Sequence, residues 1–213
     1  MRRRCSVPLV IVLVCSGCSR PEAQSAAPAS DLDTRVEAFL ETHRFGWQDM
    51  NVPAADGRAL YDIVVANRFT HALEIGTSTG HSGIWIAWAL SKTGGRLVTI
   101  DIDESRHREA VSNFARTGLT AYVDAQLADA HELVPRLDGP WDFVFIDADK
   151  DWYTAYAKAL IPKLSPGGCI TAHNVRPGGG RWQMTGGYYE YVTGLPEFET
   201  VFRAGVMVSC RRK

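Results

Sequence analysis

The sequence predicts an α/β fold: a single-domain, doubly wound, mostly parallel seven-stranded sheet with an antiparallel C-terminal hairpin. Three observations carry this. Short apolar runs of strand length alternate with stretches of helical period along most of the chain. The first such run, 72–75, passes straight into a glycine turn and a helix start, as a parallel βα unit does. The last two runs, ETVFRA and GVMVSCRR, have almost nothing between them, so they must pair antiparallel.

The elements follow in order. Leu32, Val36, Phe39 and Leu40 have helical spacing, with Asp31 or Asp33 available as a cap. The polar turn QDMNVPAADG leads to a second helix, in which Leu60, Ile63, Val64 and Val65 repeat every three to four residues. After the first strand, a helix over 82–92 stops at Gly94 and Gly95. RLVTIDID is a compact strand ending in Asp101, and Asp103 caps a helix that Gly118 stops. AYVDAQL is a third strand, HELVPRL a short helix, and WDFVFID a buried fourth strand. A helix through Tyr153, Ala157, Leu160 and Ile161 is ended by Pro166, Gly167 and Gly168, and CITAHN is the fifth strand. Residues 175–187, rich in glycine, read as a mobile loop, and a short helix near 189–192 precedes the hairpin.

Composition bounds the class. The chain has 213 residues, 46% hydrophobic and 22% charged, enough for one well-buried core. A net charge of −1 gives no electrostatic footprint for nucleic acid. The start, MRRRCSVPLVIVLVCSGC, joins a basic cluster to a short apolar run and small residues before Cys18, which reads as an export signal over 1–18. Cys18 stands where a bacterial lipoprotein is lipidated, although Cys15 replaces the usual leucine; an uncleaved anchor or a misassigned start, leaving a cytoplasmic chain, are the alternatives. Residues 19–31 form a Pro/Ala/Ser linker, and the folded domain occupies 32–213. Any membrane contact is thus through the N-terminal segment alone.

Chemistry concentrates at strand ends. In a parallel sheet the ligand crevice lies beyond the carboxyl ends of the strands. Here those ends carry Gly76, Asp101, residues 128–130, Asp147, His173 and Asn174. The turn reads G-x-x-x-G, Gly76 to Gly80, behind Glu74, and not the G-x-G-x-x-G that a nicotinamide-dependent oxidoreductase would need. It is either a structural βα turn or a cradle where backbone N–H groups meet a polar ligand. Asp101 either accepts both hydroxyls of a ribose or caps the next helix. The acids and lysine of FIDADKDWY either make a solvated turn or bring Asp147 to the crevice.

Six stretches in register, MNVPAADG, LEIGTSTGHS, LVTIDID, FIDADKDWY, CITAHNV and GVMVSCRR, resemble the cation-dependent small-molecule O-methyltransferases, the family of the catechol and caffeoyl-CoA enzymes. The resemblance spans roughly residues 35–213. It implies the Rossmann-like methyltransferase fold, S-adenosylmethionine as methyl donor and a small hydroxylated, phenolic acceptor. It places Val52, Glu74, Gly76, Thr77, Ser82, Asp101, Ala130 and Asp149 around the cofactor. It makes Asp147, His173 and Asn174 ligands of a divalent cation, Mg²⁺ or Mn²⁺, with Asp147 and Lys150 catalytic and Lys150 taking the acceptor's proton. It also implies a homodimer.

One position departs from the family. The fifth strand usually ends Asp-Asn, and this chain has His173-Asn174, which removes an acid and shifts preference from Mg²⁺ toward Mn²⁺, Fe²⁺ or Zn²⁺. Alternatively no metal binds, and His173 is a general base or packs. His81 caps or packs; Trp182 and Tyr188 wall the acceptor pocket or join the core. Cys169 and Cys210 are expected as two buried thiols, with a disulfide possible if their strands pair antiparallel. The competing function is an exported protein of the same fold that binds without turnover.

Overall fold

A computed structural model of the chain describes residues 30–44, 46, 47, 50–177, 185 and 187–213. The export signal, Cys18, most of the linker, Trp182 and most of the loop over 175–187 lie outside the described residues.

The elements run α1 (Asp31–Thr42), α2 (Ala54–Asn67), β1 (His71–Ile75), α3 (His81–Thr93), β2 (Arg96–Asp101), α4 (Glu104–Thr117), β3 (Val123–Leu127) and α5 (Ala130–Leu133). They continue with β4 (Trp141–Ile146), α6 (Tyr153–Leu160), β5 (Leu164–His173), α7 (Tyr188–Thr193), β6 (Phe198–Arg203) and β7 (Val206–Arg211). The seven strands are ordered β3-β2-β1-β4-β5-β7-β6. The first five pair in parallel, and β7 pairs antiparallel with both β5 and β6. The order reverses between β1 and β4, which is where such a sheet opens a crevice.

Alternation along each strand builds a core on both faces. Ala72, Leu97, Phe143 and Phe145 pack with side chains of α1 to α4, whereas Leu73, Ile75, Val144 and Ile146 pack with α6 and α7. All eight are fully buried, each large one contributing about 1.5–3 kcal/mol relative to exposure.

Three local expectations change. The cap of α1 is Ser30, in a capping box with Asp33. Asp33 also accepts from Trp88 Nε1 at 2.6 Å and pairs with Lys92, tying α1 to α3; the Lys92 ammonium holds its carboxyl far below the usual range. Helix α2 begins at Ala54, inside the stretch expected to be a turn, so Asp56 is a buried residue of its first turn. Strand β5 begins at Leu164, and Pro166, Gly167 and Gly168 lie within it as an irregularity, the register passing from Trp141–Leu164 to Phe143–Cys169.

The cysteines are also corrected. Antiparallel pairing of β5 with β7 sets Cys169 directly opposite Cys210, and the two form a disulfide rather than two thiols.

Candidate active site

The carboxyl edge of the sheet carries two clusters, one on each side of the switch point. Over β1, β2 and β3 lies a crevice of about 190 Å³, lined by Gly76, Asp101, Ile102, Ala130, His131, Asp149 and Tyr156 among others. Four of the expected cofactor residues, Gly76, Asp101, Ala130 and Asp149, therefore meet at one place.

Gly76 is required there. Its φ is +99°, and a Cβ would lie 2.8 Å from Ala148 Cβ and 2.9 Å from the Asp147 carbonyl, so the β1 and β4 turns touch through it. The turn's amides are used internally, against the expectation that they point free into the crevice. Gly76 and Thr77 N–H donate to the Ile100 carbonyl, and Gly80 N–H to Thr77 O. Ser78 N–H donates to Asp101 Oδ2 at 2.7 Å, and Asp103 N–H to Oδ1 at 2.9 Å. These two bonds fix the Asp101 carboxylate and leave it lone pairs for two further hydroxyls.

The other expected cofactor residues, Val52, Glu74, Thr77 and Ser82, are buried and are not among those that line the crevice. Glu74 is fully buried, accepts from Thr99 Oγ1 at 2.6 Å and bonds to the Ser82 hydroxyl. Its Oε1 has no partner. Burial pushes its carboxyl up to about 7. Thr77 is buried against Thr99, and Val52 offers its carbonyl to His81 Nδ1 at 2.8 Å. His81 also accepts from Trp85 Nε1 at 3.1 Å and stacks on Trp47, so it packs, and burial lowers its pKa to about 4.

His131, which the sequence did not single out, lines the crevice with the Trp152 ring stacked on it. Their rings stack at 3.8 Å, and His131 Nε2 lies 2.7 Å from Asp149 Oδ2. The Asp129-Ala130-His131 run after β3 is the signal, an acid capping a helix at the strand end.

Across the switch point the polar groups close on one another. His173, at the end of β5, is 8% exposed and stands between two acids: Nε2 is 2.8 Å from Asp56 Oδ2, and Nδ1 is 3.2 Å from Asp147 Oδ2. Burial opposes its charge, but the two carboxylates outweigh that and raise its pKa. Lys150 Nζ donates to Asn174 Oδ1 at 2.9 Å and to Tyr153 Oη at 3.3 Å, and lies 3.6 Å from Asp147 Oδ1. Gly205 N–H, in the β6–β7 turn, donates to Asp56 Oδ1 at 2.7 Å. Ser78, Asp149 and Asn174 hold positive φ along this edge, backbone strain that gathers at functional sites.

This arrangement differs from the expected cation site. Asp147, His173 and Asn174 do converge, but the imidazole nitrogens face carboxylates and the Asn174 oxygen is taken by Lys150. Among the described residues no group of three or more His, Cys, Asp or Glu is arranged to hold a metal ion. The donor set does not fit a divalent cation. Tyr188 is likewise core rather than pocket wall, fully buried and edge-on to Tyr153.

Known proteins match this chain along much of its length. The family model of O-methyltransferases matches residues 25–185. A catechol O-methyltransferase of Niastella koreensis is 37% identical over 147 residues, 67% of this chain and 66% of that one. Another, of Mycobacterium tuberculosis, is 36% identical over 130 residues, 61% and 59% of the two chains. The chain thus spans less than two thirds of these curated relatives. Among solved structures, an O-methyltransferase of Bacillus cereus in complex with SAH superposes with a TM-score of 0.70 at 26% identity, covering 84% of this chain and 91% of that one. TomG of Streptomyces achromogenes, in complex with SAM, also reaches 0.70 at 26%, covering 88% and 92%.

Proposed function

The chain belongs to the O-methyltransferase family, and from that premise we propose that it transfers the methyl group of S-adenosylmethionine to a hydroxyl of a small, phenolic acceptor. The observation that carries this is the convergence of Gly76, Asp101, Ala130 and Asp149 on one crevice at the switch point.

The residues fit that cofactor. Asp101 has lone pairs left for ribose hydroxyls, the His131–Trp152 stack offers a face to a purine, and buried Glu74 keeps an unpartnered oxygen behind the turn. Bound there, S-adenosylmethionine would supply a methyl group on a positive sulfur. The work left to the protein is placement and charge.

Lys150 does that work on the acceptor side. With Nζ donating to Asn174 and Tyr153, one position remains for the acceptor hydroxyl: a lone pair in the amine, or a third hydrogen in the ammonium. A phenol, with a pKa of about 10, needs this help to present an anionic oxygen. With S-adenosylmethionine bound, Lys150 as the amine would take the phenolic proton as the oxygen accepts the methyl group, and as the ammonium it would hold an already ionised oxygen through its third hydrogen. No step is assigned to a divalent cation, because its expected donors already bond elsewhere.

Titrating S-adenosylmethionine into the full chain tests the reading. Micromolar binding that Asp101→Ala weakens, followed by methyl transfer to a catechol, supports it; absence of binding rejects it. Binding without any methylated product would favour the non-catalytic alternative. Export to an oxidising compartment, with lipid anchoring at Cys18, is part of the same proposal, and the Cys169–Cys210 disulfide supports it. Cell fractionation tests it. A homodimer is proposed on the family premise, to be checked by light scattering.

A further inference from the structure

We infer that His173 closes the corner beside β5 and β7 to divalent cations, and that methyl transfer by this chain proceeds without one. The kinetic half rests on the methyltransferase reading; the closure itself concerns only donors and acceptors.

A cation site needs several lone pairs aimed at one point. His173 spans two carboxylates, 2.8 Å to Asp56 and 3.2 Å to Asp147, so neither ring nitrogen is turned outward to a metal. Asn174 Oδ1 accepts from Lys150 Nζ at 2.9 Å. Asp147 is faced by His173, by Lys150 at 3.6 Å and by the Tyr153 hydroxyl at 3.4 Å. The protein's own N–H and O–H groups therefore surround the acid that a cation would need.

Asp56 makes the closure durable. It comes from the first turn of α2, is 5% exposed, and is held through Oδ1 by Gly205 N–H at 2.7 Å. Gly205 suits that approach, since a Cβ there would lie 2.6 Å from Asp56 Oδ2. Four segments, α2, the ends of β4 and β5, and the β6–β7 turn, thus build one cluster. His173 cannot offer a nitrogen to a metal without abandoning a buried carboxylate, which is costly.

The test uses the full chain stripped with EDTA, Mn²⁺ as probe, bound metal counted by titration, and folding of each variant checked by circular dichroism. His173→Asp sets a third carboxylate beside Asp56, Asp147 and Asn174, and Mn²⁺ affinity should rise at least about ten-fold. Asp56→Ala, which releases Nε2, should raise it by a smaller factor. Wild-type turnover should be the same in EDTA and in Mn²⁺. Wild-type Mn²⁺ affinity equal to that of His173→Asp, or turnover lost in EDTA, overturns the inference. Failure to bind S-adenosylmethionine under every condition would instead reject the methyltransferase reading, while the Mn²⁺ affinities would still decide the closure.

Discussion

The two sides of the sheet's carboxyl edge meet the same problem, a row of strand-end acids, in opposite ways. Over β1 to β3, Asp101 is fixed by two backbone N–H groups and still faces a crevice. Over β4, β5 and β7, Asp147 and Asp56 are turned inward onto His173. One side keeps its lone pairs for a ligand, and the other spends them on the protein. One sheet edge can therefore keep an acid open to a crevice while it closes two others on a histidine.

Three changes probe that difference. Replacing Cys169 and Cys210 by Ala removes a cross-link spanning 41 residues of sequence and should cost about 4 kcal/mol by loop entropy, read as a lower denaturation midpoint. Because the bond joins β5 to β7, the loss should leave S-adenosylmethionine affinity nearly intact; a collapse of affinity would join the two sides. Asp101→Ala should do the reverse, weakening the cofactor by about thirty-fold, or about 2 kcal/mol, with a smaller change in melting. Equal binding by that variant would remove Asp101 from the site.

The smallest effect lies at His81, packed between Trp47 and Trp85. His81 is neutral in the folded chain, with a pKa lowered by burial to about 4 against 6.5 when unfolded. Below 6.5 the unfolded chain takes up the proton first, so stability falls as pH drops toward 4, by about 2 kcal/mol at pH 5. His81→Gln should flatten that limb of the stability profile. An unchanged slope would assign the acid sensitivity to another group.

The cofactor side was legible because its chemistry is local in sequence. A glycine turn follows one strand and an acid ends the next, so topology alone brings Gly76 and Asp101 together. The other side depends on distant pairings. Asp56 lies 117 residues from His173, in a stretch whose polarity read as a turn, and only the helix start after Pro53 turns it inward. A histidine in place of an expected acid was the available signal that a new carboxylate partner was needed. The disulfide required the β5–β7 register, and Tyr188 was ambiguous because buried aromatics and pocket aromatics share one pattern.

Calorimetric titration of S-adenosylmethionine into the metal-stripped full chain, repeated with Mn²⁺, should show micromolar binding that Mn²⁺ leaves unchanged. No binding at all would sink the cofactor reading, and binding that appears only when Mn²⁺ is added would sink the closed corner around His173.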